Sequence, residues 1–381
     1  MIEVIEVKSK KAQKEFLNFP LKLYKNNPYF VPPLYIDEKK IFKSDFIYNN
    51  YQKMTYKIIN PNFKNKTIYF NAYKNGKMVG RISGIIQNVS NKIRNEKRVR
   101  FTRFDSINDI EVAKALFGRI EALAKEKNMD TICGPMGFSE MEREGLLIEG
   151  FNELSTFEEQ YNFDYYQSLI ENCGYKKEID WVERKLFRPK EIDPRIEKLS
   201  KMMLKKYKLH LGEAKNTKDF LNKYADKFFD IMDKTYSTLY GTVPFTEAMK
   251  KEMIGNFNLI IDIKHVAVIV DENENVVCFG LCFPSLSKAL QKSCGHLTLP
   301  AIIRVLKDIK KPKVLDLALI GVLPEYANKG IASYFIYELQ KMMIEGNIDY
   351  CETNLNMEDN VNIINMWKNF DNVIHKRRRA F

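Results

Sequence analysis

The sequence predicts an α/β protein built from two units in tandem, and three observations support this architecture. At 381 residues the chain is too long for one typical domain but long enough for two that each bury a core. A strand–helix–strand order occurs in each half, at residues 101–135 and 314–355. The charged segment Phe187–Arg195 carries two prolines, as a linker would. We therefore expect one unit at residues 1–190 and a second at residues 196–381.

The first half begins with a predicted helix and a predicted hairpin. Lys10–Tyr24 is amphipathic, and the prolines within Asn27–Leu34 end any helix there. The alternating segments 67–73 and 78–86 flank the dipeptide Asn75-Gly76, which type I′ hairpin turns prefer.

The strand–helix–strand order implies a parallel strand pair in each half, because a crossover connection joins strands that run in the same direction. In the first half a strand at 101–104 precedes a helix at 111–128 and a strand at 131–135. The elements predicted for the second half are a hairpin of 265–270 and 276–283, strands at 314–322, 348–355 and 373–381, and helices at 329–345 and 359–369.

Composition favours a soluble intracellular protein with an anionic partner. Lysine and arginine number 61 against 49 aspartate and glutamate, a net charge of +12 that suits nucleic acid, phospholipid or a phosphorylated cofactor without choosing among them. No apolar run approaches the ~20 residues that span a bilayer, and the N-terminus has no apolar signal core. The six cysteines include no CxxC pair. We expect a cytoplasmic protein with reduced thiols, no metal and no membrane partner, and nucleic acid is a less favoured partner.

The stretch Leu315–Ser333 carries the most informative pattern. A strand runs into Pro324, turns through Ala327–Gly330 and opens an amphipathic helix. The start of a helix presents unpaired backbone N–H groups and the positive end of the helix dipole, which together bind phosphate. Gly330 would let the backbone approach the anion closely. The motif is neither a Walker loop nor a dinucleotide fingerprint, and an ordinary strand-to-helix turn explains the same residues equally well.

These residues resemble the GNAT acyltransferase family, whose pyrophosphate-binding loop has the pattern Arg/Gln-x-x-Gly-x-Gly/Ala. The pattern falls on Ala327–Ala332, and Asn360 and Trp367 stand where the family has an Asn and a Tyr on its fourth helix. In the first half, the segments 23–34, 134–139, 144–151 and 161–166 resemble a poorly characterised group of bacterial GNAT-like proteins. The resemblance therefore covers most of the chain.

The resemblance implies both a fold and a site. Each unit would be a mixed, mostly antiparallel sheet with a splayed parallel pair and flanking helices. Acetyl-CoA or another acyl-CoA would be the co-substrate, and a small-molecule or peptide amine would accept the acyl group. The implied coenzyme-binding residues are Gly321, Val322, Leu323, Ala327, Asn328, Lys329, Gly330, Ile331, Ala332 and Asn360. Asp316 would take the proton of the amine, with Glu352 as a second candidate base.

Two departures from the family pattern leave other functions open. Ala327 replaces the usual Arg or Gln, and Trp367 replaces a tyrosine that often protonates the leaving thiolate, which an indole cannot do. The alternatives are a non-catalytic acyl-CoA sensor and an aminoacyl-tRNA-dependent aminoacyltransferase. In the first unit, Phe104–Asp109 stands where the loop would be, and its two aspartates would repel a pyrophosphate. That unit is therefore predicted not to bind the coenzyme.

Three further patterns have a structural and a functional interpretation. The basic tail His375–Phe381 is predicted to be the solvated side of an edge strand, with binding of nucleic acid or coenzyme phosphates as the alternative. Lys92–Arg103 is predicted to be a charged hairpin surface, with a wall of the acceptor site as the alternative. Tyr161, Tyr165 and Tyr166 are expected in the core and at its rim, although they are also able to stack on a substrate.

Overall fold

The computed structural model describes residues 1–43, 67–237 and 239–381, and its strands form two sheets. The first sheet has five strands in the order β1-β2-β3-β4-β5. These strands are β1 Ile2–Glu6, β2 Thr67–Lys74, β3 Lys77–Ile85, β4 Arg98–Ser106 and β5 Thr131–Cys133.

The second sheet has nine strands, eight of them in the order β6-β14-β7-β12-β11-β10-β9-β8, while β13 pairs with β7. The strands are β6 Leu146–Glu149, β7 Ile179–Phe187, β8 His210–Leu211, β9 Val266–Val270, β10 Val276–Pro284, β11 Val314–Val322, β12 Tyr350–Thr353, β13 Asn356–Met357 and β14 Asn372–Ala380. Two strands that precede residue 190, β6 and β7, therefore lie in the same sheet as the strands of the second half.

Helices flank both sheets. They are α1 Lys10–Leu23, α2 Tyr35–Lys40, α3 Asn88–Arg94, α4 Ile110–Glu126, α5 Tyr165–Glu171, α6 Pro194–Lys206, α7 Thr217–Tyr236, α8 Glu247–Ile260, α9 Ser287–Lys292, α10 Leu299–Lys310, α11 Ala332–Glu345 and α12 Val361–Trp367. Among the described residues, none of these helices combines the length and the apolar character that crossing a bilayer requires.

The predicted sheet character is confirmed. The pairs β4–β5 and β11–β12 are parallel, and the other strand pairs of both sheets are antiparallel. The hairpin of β2 and β3 turns at Asn75 and Gly76, whose φ angles of 53° and 73° suit a type I′ turn. Several boundaries differ from their predictions by a few residues, and at the loop α11 begins at Ala332 and not at Lys329. Gly330 has a φ angle of 72°, which is incompatible with a helical residue and delays the start.

The prediction of a solvated edge strand at His375–Phe381 is wrong. Strand β14 lies inside the second sheet, with β6 on one side and β7 on the other. The side chains of Lys376 and Arg378 are 1% and 0% exposed and face Glu183 of β7. A basic run indicates solvent only where no acid lies opposite, and the strand pairing that supplies Glu183 is not visible in the tail itself.

The prediction of a charged hairpin surface at Lys92–Arg103 is also wrong, because part of α3 and most of β4 occupy this range. Arg100 is buried and donates hydrogen bonds to the carbonyl oxygens of Gly137 and Phe138. Arg103 makes a two-pronged contact with the carboxylate of Glu38, at 3.0 and 3.1 Å. Long cationic side chains are buried here because each finds acceptors within reach.

Each sheet has its own apolar core. In the first sheet the apolar face of α4, including Leu116 and Ile120, packs on β3 and β4. Tyr161 and Tyr166 belong to this core, as predicted. In the second sheet, Phe228 and other residues of α7 pack against β10.

Candidate functional site

The strands β11 and β12 separate partway along their length and open a cleft. Their parallel register runs from Val314 opposite Tyr350 to Leu317 opposite Thr353. Beyond this point β11 continues to Val322, while the chain after β12 turns away at Asn354, whose side chain donates to the carbonyl of Ala318 at 3.3 Å. Among the described residues, no strand pairs with the rest of this edge of β11, and the side chains of Asn354 and Tyr236 contact its backbone at Ala318 and Ile320.

A cavity of about 980 Å³ opens along this edge. Its walls come from both halves of the chain, and they differ in character. One wall is apolar and belongs to the second half; it includes Met249, Met253, Phe257, Leu259, Ile260 and Leu286. Another wall belongs to the first half and carries the charged residues Glu38, Arg81, Arg103, Asp105, Glu140, Glu142, Arg143, Glu144, Glu158 and Glu159.

The start of α11 lies beside the cavity with its amides uncapped. No side chain caps the helix at Ile331. Among the described residues, no acceptor is found for the backbone N–H groups of Gly330, Ile331 and Ala332. The nearest atoms to a side chain built at Gly330 are those of Met203, at 3.5 Å, so the backbone there is open to close approach. Uncapped amides at the positive end of a helix dipole are groups that attract anions.

A lysine adds positive charge to this loop. The ammonium of Lys329 lies over the rings of Tyr207 and Tyr326, 5.1 and 4.9 Å from their centroids. Cation–π contacts of this kind hold the charge beside the loop although the side chain is exposed. The departure at Ala327, which lacks a charged side chain, is therefore partly offset by a neighbour two residues away.

The corresponding helix start in the first half is closed. Asp109 caps α4 by accepting a hydrogen bond from the amide of Glu111 at 3.0 Å, and it lies 2.7 Å from the ammonium of Lys74. A carboxylate therefore already occupies the position that an anion would take. That the first unit does not bind the coenzyme stays a prediction.

Tyr236 of α7 occupies the open edge of β11 and was not anticipated from the sequence. Its hydroxyl donates to the carbonyl oxygen of Ile320 at 2.9 Å and accepts from the amide of the same residue at 3.2 Å. Burial raises the pKa of Tyr236 to about 12, so the hydroxyl stays protonated. One of 20 tyrosines, 84 residues away, offers no local signal of this contact.

The two candidate bases have opposite electrostatic surroundings. Burial, together with Glu352 and Glu158, raises the pKa of Asp316 well above its usual range, and neither carboxyl oxygen has a hydrogen-bond partner among the described residues. Burial also disfavours ionisation of Glu352, but Lys376 and His375 outweigh it and lower the pKa to about 2. Glu352 is therefore ionised and paired with Lys376, whereas the raised pKa of Asp316 keeps its carboxyl protonated.

Asn360 and Trp367 both line the cavity. Asn360 caps α12, its side-chain oxygen accepting from the amide of Ile363 at 3.3 Å. The indole Nε1 of Trp367 donates to the side-chain oxygen of Asn356 at 2.8 Å. Trp367 thus closes this end of the cleft and offers no transferable proton.

The structure brings together only part of the predicted coenzyme-binding set at the cavity wall. Those that line the cavity are Gly321, Val322, Ala327, Ala332 and Asn360. Asn328, Lys329 and Gly330 are exposed on the adjoining loop, and Leu323 and Ile331 are buried. The amide of Leu323 donates to the carbonyl of Val277 on β10, so it faces away from the cleft.

Three carboxyl groups at the cavity wall, Glu140, Glu144 and Glu158, have no cation within 4.0 Å among the described residues. We call them the cavity carboxyls. Burial raises the pKa of Glu140 and of Glu158 to about 7. Burial and the neighbouring acids Glu159 and Glu140 raise the pKa of Glu144 further, and its Oε2 has no hydrogen-bond partner. Sequence reasoning missed this set because its members lie in an irregular segment without a motif.

A second group of buried charges, which we call the paired cluster, consists of Glu183, Glu352, Lys376 and Arg378. Arg378 donates to Glu183 at 2.6 Å, and the ammonium of Lys376 contacts Glu352 and lies 3.4 Å from Glu183. Glu183, Glu352 and His375 place ligand atoms close enough to share one metal ion. However, Lys376 already supplies the positive charge that an ion would bring.

Known proteins similar to this chain were found by sequence and by structure. No family model matches it. Protein YghO of Escherichia coli (strain K12) is 26% identical over 98% of this chain and 93% of its own length. The Bacterial ceramide synthase of Caulobacter vibrioides is 24% identical over 78% of this chain and 73% of its own length.

Two solved structures share the fold. A tandem GNAT protein from the clavulanic acid biosynthesis pathway matches 100% of this chain and 97% of its own, with a TM-score of 0.55 and 10% identity. A GCN5-related glucosamine N-acetyltransferase region of a fungal GH3 beta-N-acetylglucosaminidase matches with a TM-score of 0.56 and 11% identity, over 38% of that chain. At this identity the likeness concerns the fold, and it confirms the predicted tandem arrangement.

Proposed function

Because the chain has the tandem GNAT fold, we propose that it is an N-acyltransferase that uses acyl-CoA, acetyl-CoA by default, to acylate an amine. The observation that carries this proposal is the uncapped start of α11, which lies next to the splayed edge of β11 at a cavity wall. The same position in the first half is closed by Asp109. We therefore assign a single coenzyme site, in the second half.

The proposed coenzyme site combines the loop with the strand edge. The amides of Gly330, Ile331 and Ala332 would hold the diphosphate, and Lys329 would add charge. The backbone of β11 near Gly321 and Val322, at the cavity wall, would pair with the pantetheine arm as an added strand does. Asn360 lines the same cleft. Tyr236 would have to release Ile320 or share its amide with the ligand.

The cavity carboxyls define the proposed acceptor end. A buried carboxyl without a cation is destabilised when it ionises, and a cationic ligand removes that cost. An ammonium group would therefore be attracted by Glu140, Glu144 and Glu158. A neighbouring carboxylate would also accept the proton that the amine must lose before it attacks.

For the proton acceptor we propose Glu158 in place of Asp316, because the raised pKa of Asp316 keeps that carboxyl protonated, and a protonated carboxyl does not accept the proton of the amine. Glu158 lines the cavity and acts electrostatically on Asp316. With a pKa of about 7, Glu158 is close to the value that suits a base at neutral pH. Acyl-CoA would supply an activated acyl group, whose C–S bond breaks as the new C–N bond forms. Glu352, held ionised by Lys376, would remain a structural group.

A long-chain amine is the acceptor class that we favour, on one observation. The apolar wall formed by Met249, Met253, Phe257 and Ile260 faces the same cavity as the carboxyls, which suits a ligand with a cationic head and an apolar body. The relative from Caulobacter vibrioides is named as a ceramide synthase, and a ceramide is an N-acylated long-chain amine. A non-catalytic sensor is the competing function, and Trp367, which cannot act as an acid, favours it.

The coenzyme site is tested by calorimetric titration with acetyl-CoA and a C16 acyl-CoA. Gly330→Glu places a carboxylate among the uncapped amides, so we expect the affinity to fall about 100-fold, or about 2.7 kcal/mol. Gly76→Glu is the matched control, because Gly76 has the same positive φ angle of 73° and no atom near its missing side chain. Equal affinity of wild type and Gly330→Glu would contradict the assignment.

Function is tested with the same proteins in a thiol-release assay across short and long amines. Turnover that is lost in Gly330→Glu and kept in Gly76→Glu would support an N-acyltransferase. Coenzyme binding without turnover on any amine would instead favour the sensor.

A further inference from the structure

Helix α10 exposes an apolar face that no described residue covers. Leu299, Ile302, Ile303 and Leu306 are 73%, 39%, 60% and 50% exposed. Their spacing of three and four residues places them on one stripe of the helix. A contiguous exposed stripe of this kind marks an interaction surface more often than isolated apolar residues do.

The opposite face of α10 holds the helix in the fold. Ala301 is fully buried, and Val305 and Ile309 pack with Leu286 and Leu290. The exposed stripe is therefore not needed for the core, and its position is fixed by the inner face.

Basic residues surround the exposed stripe. Lys307 and Lys310 lie on the helix and Lys311 follows it, all exposed, and Asp308 is the one acid of α10. Lys288 and Lys292 of α9 lie near enough to act on Asp308 together with Lys307. Within the described ranges, none of these five lysines forms an ion pair.

We propose that α10 docks on the surface of an anionic phospholipid bilayer. An apolar stripe bordered by lysines matches the acyl region and the charged headgroups of such a surface. Nucleic acid would use the charge but would leave the stripe in water. The expectation of no membrane partner rested on the absence of a spanning segment, and a helix of 12 residues lying on the surface needs none.

The docking face adjoins the cavity. Ile260 lines the cavity, and it packs against the same buried cluster of Val31, Leu286 and Leu290 as Val305 and Ile309 of α10 do. Its neighbour Leu259 also lines the cavity and is 75% exposed. A lipid-like substrate would thus pass from the bilayer to the apolar wall over a short distance. Docking on a bilayer does not depend on acyl transfer. The vesicle experiment therefore tests the membrane proposal, and the titration and thiol-release experiments test the proposed function independently of it.

The test is sedimentation of the full chain with vesicles of phosphatidylglycerol and phosphatidylethanolamine, and with vesicles of phosphatidylcholine alone. We expect binding to the anionic vesicles that weakens in high salt. The double variant Ile303→Gln/Leu306→Gln should bind about tenfold more weakly, and Lys307→Gln/Lys310→Gln should lose the salt-sensitive part. Ile93→Gln, an equally exposed isoleucine on α3, is the control and should bind as wild type does.

Two outcomes would overturn the proposal. The first is a failure of the vesicle assay: either wild type does not sediment with anionic vesicles, or the variants of α10 sediment as well as wild type does. The other is a dimer in sedimentation velocity that is lost in Ile303→Gln/Leu306→Gln without any vesicle binding, which would make the stripe a contact between copies of the chain. Thermal unfolding of each variant checks that the fold is kept.

Discussion

The paired cluster and the cavity carboxyls are two sets of acids with opposite surroundings; of the cavity carboxyls, Glu144 is buried and Glu140 and Glu158 are half-buried. In the paired cluster, Glu183 and Glu352 each lie within 3.4 Å of the ammonium of Lys376, and Arg378 donates to Glu183. At the cavity wall, Glu144 is similarly buried, but within the described ranges it has no cation within 4.0 Å and no hydrogen bond to its Oε2. The paired acids stabilise the sheet through their ion pairs, whereas the cavity carboxyls are placed to bind a cationic ligand.

This contrast explains why burial alone does not identify a functional acid. Lysine and histidine bring the pKa of Glu352 down to about 2 despite its burial. At the cavity wall Arg143 opposes burial only in part, and the pKa of Glu158 rises to about 7. A fold tolerates unpaired buried acids only at a cost to its stability, which is typical of sites that bind ligands.

The largest effect is expected when the paired cluster loses its cation. Lys376→Met leaves two buried carboxylates without their shared ammonium, so we expect the free energy of unfolding to fall by about 3–5 kcal/mol at pH 7. Lys185→Met is the control on neighbouring β7, because Lys185 and its partner Glu153 are both partly exposed to water, and its loss should cost less than about 1 kcal/mol. Equal losses in urea unfolding would remove the distinction between the two pairs.

An effect of opposite sign is expected at the cavity wall. Glu144→Gln removes a buried acid without a partner, so the free energy of unfolding at pH 7 should rise by about 1–3 kcal/mol. Glu121→Gln, on the exposed face of α4, should leave it unchanged. A destabilised Glu144→Gln would mean that this carboxyl has a stabilising role.

The stability difference between wild type and Glu144→Gln should depend on pH, and the sign of this dependence follows from the raised pKa of Glu144. Below about pH 4.5, its ordinary value, the carboxyl is protonated in both folded and unfolded chains, and the variant gains nothing. Above that pH the unfolded chain loses the proton while the folded chain keeps it, so wild-type stability falls as the pH rises. Unfolding curves from pH 4 to 8 should therefore diverge with increasing pH.

A smaller loss is expected for an acid at the surface. Asp109→Ala removes the cap of α4 and should lower the free energy of unfolding by about 1 kcal/mol without changing acetyl-CoA affinity. Asn328→Ala is the counterpart in the uncapped loop, where no hydrogen bond of its side chain is found within the described residues. Asn328→Ala should leave the free energy of unfolding unchanged. A loss as large as that of Asp109→Ala would mean that the Asn328 side chain caps α11 after all.

Local patterns in the sequence predicted most of the fold. Alternation and the Asn75-Gly76 turn located the hairpin of β2 and β3, and the order of elements predicted both parallel pairs. The prediction for the tail failed because Glu183, the acid that both Lys376 and Arg378 contact, lies on another strand more than 190 residues earlier. Periodicity describes an element, but only pairing decides whether that element is an edge.

The candidate site was predictable only where it is local. The loop at Gly330 is one continuous motif, and its uncapped amides follow from the absence of a capping side chain. Tyr236 and Glu144 reach the cavity from distant segments with no spacing that links them to β11. Their roles depend on the cavity between the halves, which no single stretch of sequence describes.

The interior position of β14 has a consequence for how the protein is made. Strand β7 lies between β14 and β12, so its hydrogen bonds are completed only after residues 350–380 have been synthesised. During translation, the edges of β6 and β7 would stay unpaired until β14 and β12 are made, and unpaired strand edges are prone to pair with the wrong strand or with another chain. A fragment cut at residue 190 would retain those edges permanently, and we expect it to aggregate unless the remaining chain is supplied alongside it.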